Sequence, residues 1–220
     1  PCASAESDGK HLRCSHQSLH AHTLISAGLL FIALTACSGS EEETSSIVPE
    51  GGPRLLAAYH GLDSLPNLVS LICPAAAAGQ DGMLLVFSVQ LDVDSVSESA
   101  FSVETAGGRR ITPVCATLAP ALEPLELRTV LLAGDFGTAD DPPRSVEVNG
   151  ALRTLDGVSL QGLGIDRISP LSAGPELVLA ERFPPDMPGL AGECPEETRQ
   201  VVQLTWNGGV HGYPGHLPLG

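Results

Sequence analysis

Lysine is almost missing from this chain. Lys10 is the only one, and every later positive charge is an arginine. A Walker-type phosphate loop, a Schiff base and a Ser-x-x-Lys nucleophile each need an amine, so the segment after residue 10 has none of these chemistries. Aromatic residues make up only 4% of the chain, with Trp206 the single tryptophan, so the stacking platforms that usually hold sugars are scarce. No Gly-x-Ser-x-Gly, His-Glu-x-x-His or Cys-x-x-Cys occurs. The residues therefore point to a protein that is not an enzyme, with no cofactor and no metal in its expected set. Positive charge is short as well: 11 Lys and Arg stand against 26 Asp and Glu, for a formal net charge of −15. Such a surface repels phosphate backbones and anionic headgroups, so nucleic acid is not an expected partner.

What is present is Gly and Pro, 24 and 18 of them in 220 residues, separating short apolar runs. One domain with one core suits this length. The runs fall at 68–73, 83–91, 101–105, 111–118, 127–132, 146–148, 177–180 and 201–206, and their length favours strands over helices. Apolar and polar residues alternate in Phe87-Ser88-Val89-Gln90-Leu91 and in Ser145-Val146-Glu147-Val148, which buries one face of each. An all-β fold of sandwich type is the expectation. Short helical turns are expected at 94–100, capped by Asp94 or Ser95, and around 75–78.

The amino-terminal part reads differently. Residues 24–36, LISAGLLFIALTA, carry no charge and follow a stretch holding Lys10, Arg13 and several histidines. The run is shorter than the roughly 20 apolar residues a membrane span needs, and it ends against Ser38, Gly39 and the acids Glu41, Glu42 and Glu43. That is a signal-peptide profile. An ordinary secretory signal, or a buried apolar helix with Cys37 as a small core residue, is the plainer alternative.

At its end, Leu34-Thr35-Ala36-Cys37 resembles a bacterial lipobox. The resemblance implies cleavage between Ala36 and Cys37 and lipidation of the Cys37 thiol, with several acyl chains giving stable anchoring where one would be marginal. Ser38 in place of Asp then implies a bacterial cell envelope location, at the outer membrane, facing the periplasm or the cell surface. The membrane, through the anchor, is the first expected partner, and envelope or surface proteins are the second. Residues 1–36 become a signal peptide with an extension. The extension lacks an initiator Met and is longer than a signal needs, which fits an upstream-extended or incomplete gene reading. Its Cys2, His11, Cys14, His16, His20 and His22 match no compact zinc spacing. Residues 37–53 read as the lipidated cysteine and an acidic tether unable to bury enough apolar surface to fold.

Residues 54–192 are the expected folded domain. Within them, residues 83–162 resemble the bacterial Ig-like domain of S-layer type, through Val86-Phe87-Ser88, Leu91-Asp92, Ser95-Val96, Phe101-Ser102-Val103, Val146-Glu147-Val148, Leu155-Asp156-Gly157 and Leu160-Gln161-Gly162. Each piece has a local reason: core strands, an Asp opening a turn, and glycine-bearing turns between late strands. Between Thr105 and Val146 the chain departs from that family, inserting Pro113-Val114-Cys115 and Asp140-Asp141-Pro142-Pro143. The resemblance implies a spacer or adhesion-supporting module and brings no active site with it. Residues 193–220 read as the start of a second β-domain or as a tail.

After Cys37 come Cys73, Cys115 and Cys194, an odd number for an oxidising compartment. One disulfide plus one thiol is the simplest arrangement. Cys73–Cys115 is favoured because both cysteines border apolar runs, and Cys115–Cys194 is the alternative. Calcium is a rival function, with Asp92, Asp94, Asp135, Asp140, Asp141 and Asp156 as ligands, although no EF-hand spacing is present. Glycan binding is the other rival. His60, His211 and His216 receive no role.

Overall fold

The computed structural model describes residues 51–187, 195 and 197–208. Ala36, Cys37, nearly all of the tether, Cys194, His211 and His216 lie outside the described residues. What is described is all-β, and its only helical pieces are short 3₁₀ turns.

Two sheets build the body. The first has the order β5 (Cys115–Thr117), β6 (Thr129–Gly134), β2 (Asp81–Phe87), β1 (Leu55–Leu62), β9 (Ile168–Pro170), and the second β4 (Arg110–Ile111), β3 (Phe101–Thr105), β7 (Pro143–Val148), β8 (Gly164–Ile165). Pairing is antiparallel throughout except between β1 and β9, which run parallel. A third, two-stranded sheet pairs β10 (Leu177–Phe183) with β11 (Val201–Trp206).

Side-chain alternation explains the core. In β3 the buried positions are Phe101, Val103 and Thr105, with Ser102 and Glu104 facing outward. Phe101 and Val103 join Val146 and Val148 of β7 in one cluster with Met83, Leu85 and Phe87 of β2 and Val130 and Leu132 of β6. The two sheets therefore share a single apolar core, which connecting segments close with Leu91, Phe136, Leu152 and Leu160. Full burial of side chains this large is worth about 1.5–3 kcal/mol each, and this cluster is the main source of stability.

Several expected strands lie where the apolar runs placed them. β3 and β11 match their runs end to end, and β6, β7 and β10 overlap theirs. The chain leaves the β2 ladder after Phe87, however, so the 88–91 alternation is not strand; Leu91 makes an isolated bridge to Thr154. The 111–118 run is divided between β4 and β5, which lie in different sheets, with Pro113 between them. β11 pairs with β10, so the expected boundary at 192/193 falls inside one hairpin. Asp92, rather than Asp94 or Ser95, caps the first turn of the 94–100 stretch by accepting the Asp94 N–H at 3.1 Å. The turn at Gly157 forms as expected, with φ +84° and the Gly157 N–H donated to the Thr154 carbonyl.

The run at 68–73 is a correction. It is not a strand but part of a loop, 63–80, that contains two 3₁₀ turns, Asn67–Leu71 and Ala75–Ala77. Pro66 and Pro74 stand just before the two turns, where a residue without an N–H loses nothing. The loop closes on itself through Leu65 N–H to Gln80 O and Gly79 N–H to Leu65 O, both 2.8 Å. Its inner residues Val69, Cys73 and Ala77 pack with Cys115 and Ala133.

The disulfide joins Cys73 to Cys115 with Cα atoms 5.7 Å apart, as favoured from the sequence, and so fastens this loop to the edge strand β5. It spans 42 residues, and on a chain-entropy view a loop of that size is worth about 4 kcal/mol. The variant Cys73→Ser/Cys115→Ser is expected to lose roughly 2–4 kcal/mol in urea unfolding. An unchanged midpoint on reduction would show that the loop is held by its apolar contacts alone.

Candidate functional site

Four of the six acids proposed as calcium ligands are engaged separately. Asp92 accepts from Arg153 at 2.8 Å, and this hydrogen bond is the main reason its carboxyl titrates below the usual range. Asp135 takes Arg109 at 3.2 Å and is lowered chiefly by that hydrogen bond. Asp141 accepts the Gly107 N–H at 2.6 Å, and Asp156 accepts the Thr154 hydroxyl. Among the described residues no three His, Cys, Asp or Glu side chains gather as a metal would require.

His60 sits near the end of β1, its ring edge-on to Phe136 with centroids 6.3 Å apart. It borders a cleft of about 700 Å³ with Asp63, Asp81, Thr138 and Pro170. Its Nε2 is buried and has no hydrogen-bond partner among the described residues. Nothing in its spacing marked this residue, because Phe136 and Thr138 come from a distant part of the chain.

The most developed surface is the β10–β11 ribbon. Along β11 the even-numbered residues Val202, Leu204 and Trp206 are exposed, at 50%, 49% and 39%, while Val201, Gln203 and Thr205 turn inward. On β10, Ala180 stands opposite Leu204 and Arg182 opposite Val202, so the outer face is apolar with one arginine. Among the described residues neither ribbon strand pairs with a third. Both edges therefore present unpaired backbone groups, the usual template for strand addition.

Two attachments hold the ribbon to the body, and one pair of hydrogen bonds closes its own end. Phe183 and Val201 pack on Leu125 with Met187 beside them. Asn207 is tied to Glu176, accepting its N–H at 2.7 Å and donating its own N–H to the Glu176 carbonyl at 3.0 Å. Gly208 lies flat on the Tyr59 ring: a Cβ there would come within 2.8 Å of the ring, so only glycine allows this approach.

Beneath the ribbon, Arg128 meets Glu181 at 2.9 Å, with side chains 4% and 10% exposed. The guanidinium also reaches the Leu125 and Ser88 carbonyls at 3.4 and 3.5 Å. It approaches Glu181 Oε2 off the axis of a directed hydrogen bond, and charge attraction, with what hydrogen bonding that geometry allows, opposes the burial of both groups. Burial dominates both groups. It pushes the Glu181 carboxyl above its ordinary range against the pull of Arg128, and it pushes Arg128 below its own against the pull of Glu181. Sequence reading missed this pair because the partners are remote in the chain. The one local signal was an acid inside the otherwise apolar start of β10.

Compared with known proteins, the chain matches no family model, no curated protein and no solved structure.

The buried pair gives a signed expectation. A glutamate whose carboxyl is raised on folding contributes its full stability below the ordinary glutamate range and loses it as pH rises through the raised value. Arg128→Met removes the only charge opposing that loss, so it is expected to cost about 3 kcal/mol at neutral pH and much less in acid. The double variant Arg128→Met/Glu181→Leu should regain native stability. Urea unfolding at neutral and acidic pH reads both, and a penalty that does not change with pH would refute this account of the pair.

Proposed function

We propose that this chain is a bacterial cell-envelope lipoprotein, anchored through acyl chains on Cys37, whose Ig-like β-sandwich serves as a non-enzymatic structural or protein-interaction module. The observation that carries the interaction role is the outer face of the β10–β11 ribbon, where Val202, Leu204 and Trp206 stand exposed beside two edges that pair with no third strand among the described residues. Tryptophan and arginine are enriched where proteins bind one another, and Trp206 and Arg182 are both on this ribbon. Supporting the Ig-like reading are two sheets around one core, the turn opened by Asp92 and the glycine turn at Gly157. Supporting the envelope address is the Cys73–Cys115 disulfide, a bond suited to an oxidising compartment. The lipobox Leu34-Thr35-Ala36-Cys37 supports the anchor.

Glycan binding is the second reading, favoured by the exposure of Trp206 on an open face. The two readings separate by occupant: a protein strand uses the ribbon edge as well as the face, whereas a sugar needs the indole alone.

Mass spectrometry of the chain expressed in a diderm bacterium is expected to find diacylglyceryl on Cys37 and cleavage after Ala36. Cys37→Ala should abolish both and leave the protein out of the membrane fraction; unchanged processing and partitioning would overturn the anchor. For the ribbon, a photocrosslinking residue in place of Leu204 is expected to give protein adducts that the same probe in place of Glu147, on the second sheet, does not. Equal labelling from both positions would remove the ribbon from the role.

A further inference from the structure

Residues 64–80 of the loop form the longest uncharged stretch among the described residues of this acidic protein. Between Asp63 and Asp81 there is not a single Asp, Glu, Lys or Arg, although the whole chain has 26 acids. Its surface is correspondingly apolar. Leu68 is 70% exposed and Leu71 77%, and in a 3₁₀ turn residues three apart eclipse, so the two leucines project together. Ile72 extends the patch, and Val114 adds to it from beside Cys115 across the disulfide.

We infer that this loop is a membrane contact: it seats Leu68, Leu71 and Ile72 in the interfacial layer of the bilayer to which the chain is anchored. The inference rests on the lipoprotein reading for the proximity of that bilayer. Three observations favour a lipid surface over a protein partner. The patch is a projection rather than a groove, and it offers no charged group for a directed contact. Its one described side-chain hydroxyl in the outer turn, that of Ser70, is already donated to the Asn67 carbonyl at 2.7 Å. Part of the loop's backbone is also already satisfied within the loop. The N–H groups of Val69, Ile72, Cys73, Ala77 and Ala78 are all donated inside the loop, and Pro66 and Pro74 have none to satisfy. Charge agrees as well, since an acidic protein can approach a lipid surface closely only where it presents no carboxylates. The tether reaches: residues 38–53 fully extended span about 55 Å, roughly twice the length of β1 that separates its end from the loop. Anchor and loop together would give two attachments, which fixes how the domain lies on the membrane rather than merely keeping it there.

The test places an indole at the tip. Full chain carrying Leu71→Trp, and separately Leu68→Trp, is reconstituted in phosphatidylcholine vesicles with bromine on the acyl chains. The parent, whose only tryptophan is Trp206, supplies the baseline. The expected result is a blue shift of the added emission in vesicles and its loss with brominated lipid, for both positions. Circular dichroism and a non-reducing gel confirm the fold and the disulfide. Acylation is read separately by mass. An added indole that stays water-like and unquenched on an acylated chain overturns the inference and leaves the anchor standing. Quenching on an unacylated chain supports the loop contact and removes the anchor. A blue shift that appears without vesicles and grows with protein concentration assigns the patch to a second copy of the chain and overturns the lipid contact.

Discussion

Phe101 and Val103 on one sheet, interleaved with Met83, Leu85 and Phe87 on the other, set the geometry that everything else follows. Because the chain has no long helix among its described residues and few aromatic side chains, this one layer of branched aliphatics and phenylalanines must supply most of the apolar burial. It fixes which face of each strand turns inward, and by a two-residue period it fixes which residues are left outside. The disulfide loop and the ribbon are consequences. Each packs a small apolar cluster of its own against the first sheet or the connections beside it, and each leaves apolar residues uncovered.

Strands were legible where alternation was strong and the run was isolated. Phe101-Ser102-Val103-Glu104-Thr105 and Val201 to Trp206 show their two faces in the sequence itself, and the turn residues around them leave no other reading. The run at 68–73 looked the same by composition. Its true state depends on Pro66 and Pro74 and on a cysteine that closes onto another strand, and the second of these is a tertiary fact. β1 was harder still, since Leu55-Leu56-Ala57-Ala58 has no period; its burial on both faces comes from the core that Leu55 and Ala58 enter on one side and from Gly208 lying on Tyr59 on the other. The acids were legible as turn formers at Asp92 and Asp156, but their partners Arg153 and Thr154 only emerge once the turns are built.

The candidate surfaces divide in the same way. The exposed face of β11 was half visible, because the alternation of Val202, Leu204 and Trp206 against Gln203 and Thr205 is local. Whether that face or its opposite is covered depends on Glu181 meeting Arg128, and no local rule pairs them. The run at 68–73 read as a strand and 75–78 as a helical turn; the structure makes both stretches 3₁₀ turns and leaves Leu68 and Leu71 outside.

β1 runs between an antiparallel neighbour and a parallel one, in the interior of its sheet, and it is the first of the described strands. Tension arriving through the residues before Leu55 is therefore directed along a strand clasped on both sides. The two ladders would have to fail in shear, with many bonds sharing the load at once, instead of opening one after another from a free edge. Pulled from that end, such a fold resists through both ladders of β1 together.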